Sequence, residues 1–81
     1  MQTITKNSSS CYLYEDDEVI IIGEDFTVVG DPPILIIGDI NSQNGEVYEN
    51  VTPPADWVPN KYLFDGTDWT PNPNFPQEEV V

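Results

Sequence analysis

Eighty-one residues suffice for one small domain, whose core leaves only about 3–5 kcal/mol of net stability. Fifteen carboxylates against two lysines give a net charge of −13, which sets the chain against nucleic acid and anionic membrane surfaces. Histidine is absent and cysteine occurs once, so an internal disulfide is excluded and the commonest zinc ligand and general base are missing.

Association with itself or with a partner is then the most economical extra source of stability. The charge keeps an exposed protein soluble, and suits a basic surface, divalent cations or imitation of a phosphate backbone. No stretch is long and apolar enough to cross a bilayer, and Met1 to Lys6 lack the apolar core of a signal peptide. One unpaired cysteine fits synthesis in a reducing compartment.

Met1 to Ser10 is polar and ends in Ser8-Ser9-Ser10, which predicts an N-terminal arm over residues 1–10, with an extended first strand as the alternative. Cys11 to Tyr14 and Val19 to Ile22 then read as two strands joined by an acidic turn, Glu15-Asp16-Asp17-Glu18. Four adjacent acids repel one another and belong in solvent. A calcium site is the sharper alternative, but the spacing does not match an EF-hand and consecutive residues point apart.

A glycine followed directly by an acid recurs at Gly23-Glu24, Gly30-Asp31, Gly38-Asp39 and Gly45-Glu46. The first three follow apolar runs, so strand, Gly-acid turn, strand is the simplest account. Calcium-binding β-rolls also repeat Gly-Asp, but with a nine-residue period and many copies, neither present here. Asp31-Pro32-Pro33 must be a loop or an edge, because proline lacks an N–H. Asn44-Gly45 is a tight-turn pair, and Glu46 to Val51 alternates as a half-buried strand with Val47 and Tyr48 on opposite faces.

From Thr52 onward six of the eight prolines appear. Asp56-Trp57-Val58-Pro59-Asn60 is echoed by Asp68-Trp69-Thr70-Pro71-Asn72, suggesting either an extended arm on a partner or a loop covering the domain's own core. Between them, Lys61 to Asn74 carries the clearest local signal. Asp65-Gly66 lies between aromatic segments and predicts a hairpin turning over Asp65 to Asp68, with the Phe64 and Trp69 rings close together. No ten-residue window carries apolar residues at helical spacing. The expected fold is all-β: a small sheet, sandwich or partial barrel of about six short strands, with an extended Pro/Trp-rich C-terminal segment. The domain covers 11–75, and 76–81 is a mobile tail.

No nucleophile stands in sequence with a base that would activate it. Cys11 reads as a structural thiol, and close carboxylate pairs arise by chance among fifteen acids. No P-loop, dinucleotide motif or Cys-His cluster is present. The expectation is a non-enzyme with no cofactor, no metal and no catalytic residues.

Val51-Thr52-Pro53-Pro54-Ala55-Asp56-Trp57 and Lys61 to Phe75, with its aromatic-Asp-Gly-Thr-x-Trp element, resemble small accessory proteins of tailed bacteriophages, especially phages of cyanobacteria. The resemblance covers about a third of the chain and brings no catalytic residues. It implies a virion protein, either a capsid decoration or cement protein or a small tail component, whose partners are major capsid or tail proteins and whose assembly is multimeric. Trp57, Tyr62, Phe64, Trp69 and Phe75 are then the expected partner contacts, with no direct nucleic-acid or membrane partner. The alternative is an acidic inhibitor that mimics DNA in the basic groove of a host nucleic-acid enzyme, although these acids are spread among turns.

Overall fold

A computed structural model describes residues 1–75. The fold is all-β, and no helix occurs among the described residues. Eight strands form: β1 (Gln2–Lys6), β2 (Ser9–Tyr14), β3 (Ile20–Ile22), β4 (Thr27–Val29), β5 (Leu35–Ile37), β6 (Gly45–Tyr48), β7 (Tyr62–Phe64) and β8 (Trp69–Pro71). They build a curled five-stranded sheet of order β6-β1-β2-β7-β8 and a three-stranded sheet of order β3-β4-β5. Ile4 of the large sheet meets Val29 and Ile37 of the small one, together with Ile40, and this contact is the core.

The first ten residues are not an arm; Gln2–Lys6 forms the extended first strand that was the alternative. β1 is paired on both sides, with β2 and with β6, and Gln2, Thr3, Ile4 and Thr5 are all buried. Three of those four are polar, which is why composition suggested a tail. Burial costs them little because each polar group has a partner. The Gln2 carboxamide donates to the Glu15 and Glu18 carbonyls, both at 2.7 Å. The Thr3 hydroxyl donates to the Tyr12 carbonyl at 2.8 Å, and so accepts from Ser10 Oγ at 2.6 Å. Asn7 and Ser8, at φ 50° and 72°, make the two-residue turn from β1 to β2, the mirror-image geometry that suits the twist of a hairpin. Register skips Cys11, the extra residue of a β-bulge opposite Ile4 and Thr5.

β2 and β3 are the two strands read in that segment, joined by the acidic turn; they do not pair, because the turn carries the chain from one sheet to the other. Its anchors explain the crossing. The Gln2 carboxamide holds the turn's carbonyls, and the Asp16 carboxylate takes the Met1 ammonium at 3.0 Å and the Asn50 N–H at 3.1 Å. The Asn50 N–H and then the Met1 ammonium hold the Asp16 carboxyl below the usual carboxylate range. A lowered folded-state pKa stabilises the fold above the unfolded value, near 3.9, and that contribution is lost as pH falls through the folded value. Asp16→Ala is therefore expected to melt below wild type by a constant margin between about pH 5 and pH 7, and the margin should close as pH falls below about 4. Melting curves across that range check it.

The Gly-acid turns form at Gly23-Glu24, between β3 and β4, and at Gly30-Asp31, between β4 and β5; Gly38-Asp39 follows β5. Gly45 instead opens β6, opposite Lys6. It is glycine because of close approach: a Cβ there would lie 2.3 Å from Ile40 Cγ2 and 3.1 Å from the Asn41 carbonyl oxygen. Of the expected Glu46–Val51 strand, Glu46 to Tyr48 join the ladder with β1, and beyond it the Val51 N–H donates to the Met1 carbonyl at 2.7 Å.

The hairpin forms as the aromatic-Asp-Gly signal predicts. Phe64 pairs with Trp69, and their ring centroids lie 4.4 Å apart. Asp65 Oδ1 accepts the Thr67 and Asp68 N–H groups at 2.8 and 2.7 Å, and Gly66 takes φ 101°. Tyr48 closes the cluster edge-on to Phe64 at 5.2 Å. The expected tail at 76–81 lies outside the described residues.

Candidate interaction surface

β3, β4 and β5 read Ile-Ile-Ile, Thr-Val-Val and Leu-Ile-Ile. A strand shows alternate residues to opposite faces, so runs this apolar present an apolar face on each side. One side is used: Thr27, Val29 and Ile37 are buried against the large sheet. The other is not. Ile21 pairs with Val28 and Val28 with Ile36, which puts the three side chains in one row across the outer face. Val19, Phe26 and Ile34 lie two residues from members of that row, just beyond the strand ends, and are also exposed. Ile21 is 60% exposed, Ile36 62%, Ile34 69%, Phe26 46% and Val19 43%.

Contiguous apolar area on this scale, a few hundred Å², is the usual mark of an interaction surface. The charges sit at its ends. Glu18 and Asp31 flank one end of the small sheet; Glu24, Asp25 and Asp39 flank the other. Asp39 is paired with Lys6 Nζ at 3.3 Å, and no cation stands within ion-pair reach of Glu24, Asp25 or Asp31 among the described residues.

A second feature is a groove of about 400 Å³ beside β2, where the β2–β7 ladder stops at Ser9 and Leu63. Tyr12, Tyr14, Trp57, Pro59, Asp39 and Ile40 contribute to its lining. The Tyr12 and Tyr14 rings stack at 6.2 Å. Trp57 is pinned, because its ring N–H donates to Ser10 Oγ at 2.9 Å and thereby joins the Ser10–Thr3–Tyr12 chain of hydrogen bonds. Cys11 lies along the same groove, its sulfur 3.3 Å from the Ser9 carbonyl and 3.2 Å from Asn60 Oδ1. Burial pushes its thiol up, which favours the unreactive protonated form.

The five aromatic residues expected to contact a partner do not share one role. Phe64 is buried between Tyr48 and Trp69 and offers no ring to a partner. Trp69 is half-buried on Phe64, and Trp57 belongs to the groove. The Tyr62 hydroxyl donates to Asp56 Oδ1 at 2.7 Å, beside the Lys61–Asp56 ion pair, and the Phe75 N–H donates to the Asn72 carbonyl at 3.1 Å. Sequence reasoning missed Ile21, Ile34 and Ile36. Their signal was present in runs too apolar for strands that have only one face to bury.

Among the described residues, no three His, Cys, Asp or Glu side chains cluster closely enough to hold a metal ion. No family model matches the chain, and neither a curated protein nor a solved structure matches it.

Proposed function

We propose that this chain is a non-catalytic structural protein of a tailed-phage particle, a decoration or cement protein that attaches through the outer face of its small sheet. The observation that carries this reading is that face itself: five large apolar side chains are left in solvent by a protein too small to waste them. The resemblance of Val51–Trp57 and Lys61–Phe75 to phage accessory proteins supplies the setting. Trp57, Tyr62, Trp69 and Phe75, each part-exposed, are secondary contacts in this proposal; Phe64 is not.

The test is a copy-number count in purified particles by quantitative mass spectrometry. A symmetric shell or tail role predicts on the order of tens to hundreds of copies per particle. Absence from the particle, with expression early in infection, would replace this reading with the acidic inhibitor.

A further inference from the structure

We infer that the outer face of the small sheet receives a different protein, whose contact surface has an apolar centre and a rim of lysine and arginine, and not a second copy of this chain. The inference rests on reading that face as an attachment surface, and is independent of the particle in which attachment occurs.

Side chains at these exposures present roughly a few hundred Å² of apolar surface, whereas a stable contact takes about 800 Å² from each partner. The remainder must come from the rim, and the rim is acidic at both ends of the strands. Glu18 and Asp31 lie at one end and Glu24 and Asp25 at the other, where Asp39 is already matched by Lys6. Two copies packed face to face, in parallel or antiparallel strand directions, therefore bring carboxylates against carboxylates. Such charges meet within a Debye length, about 8 Å at physiological salt, so solvent does not silence the repulsion.

A second copy also brings no uncommitted cation to relieve it. The chain has two lysines and no arginine or histidine. Lys6 already faces Asp39, Lys61 faces Asp56, and the Met1 ammonium faces Asp16. An anionic membrane is opposed by the same rim. What fits is a surface whose centre buries Ile21, Ile34 and Ile36 and whose basic edge meets Glu24, Asp25 and Asp31, charge complementarity then setting partner choice and encounter rate.

The experiment places a photo-crosslinking phenylalanine analogue at Ile36 in the full chain, expressed in the cells that normally make it, with the same analogue at Thr67 on the hairpin turn as a control. Adducts are mapped by mass spectrometry to the partner segment. The expected adduct from position 36 joins an apolar segment flanked by lysine or arginine. Its yield should fall several-fold between about 50 and about 500 mM salt, and again in Glu24→Gln/Asp25→Asn/Asp31→Asn. Four results would each overturn the inference: an adduct to a second copy, an adduct to a segment without basic flanks, a yield indifferent to salt and to the triple variant, or no adduct from position 36. An adduct with the expected chemistry to a protein outside any virus particle would leave the inference standing and sink the proposed virion role.

Discussion

Replacing Ile21 and Ile36 together by threonine is expected to abolish attachment and leave the fold intact. Both side chains are mostly in solvent, and threonine is as good a strand former as isoleucine, so the exchange falls among surface substitutions worth about ±0.5 kcal/mol or less. For a domain this small, two such substitutions shift Tm by at most about 4–8 °C. Binding responds differently. Each isoleucine loses the apolar area it would bury against a partner, roughly 1–2 kcal/mol per residue given its present exposure. Two such losses near the centre of a contact weaken Kd by about 30- to 700-fold. Thermal melting and particle occupancy, measured on the same preparation, separate the two effects. A double variant that melts normally and still decorates particles fully would show that the apolar face is not the anchor.

The contrast between the two sheets explains what was legible in the sequence. The hairpin at Phe64 to Trp69 was readable because its determinants are local: Asp65 caps its own turn, Gly66 takes the positive φ, and the flanking rings meet across the register. The turns at Gly23 and Gly30 were readable for the same reason. β1 was not. Gln2, Thr3 and Thr5 look like tail residues until the groups that satisfy them are known, and Tyr12, Glu15, Glu18 and Glu46 are as many as 41 residues away in sequence. The exposed apolar face was half legible. Val19 to Ile22 and Ile34 to Ile37 announced strands apolar on both faces, but only pairing Ile21 with Val28 and Val28 with Ile36 shows that one of those faces has no cover. The aromatic segment drew attention away from it, since large rings suggest contacts, whereas Phe64 spends its ring inside the fold.

The second large effect lies in β1. Ile4→Ala is expected to unfold most of the protein at room temperature, whereas Ile4→Val should leave it folded. Ile4 has no exposed surface and stands where Val29, Ile37 and Ile40 of the opposing layer converge. Truncation to alanine removes buried methyl and methylene groups and leaves a cavity, a cost of about 2–5 kcal/mol, while truncation to valine costs about 0.5–1.5 kcal/mol. Against a net stability of about 3–5 kcal/mol the first consumes most or all of what is available and the second does not. Circular dichroism with urea titration reads both, with the valine variant shifting the midpoint at an unchanged slope. If residues 1–10 were a peripheral arm, both substitutions would be silent. A silent Ile4→Ala would therefore remove β1 from between β6 and β2, and with it the contact that covers the small sheet's inner face and leaves its outer face in solvent.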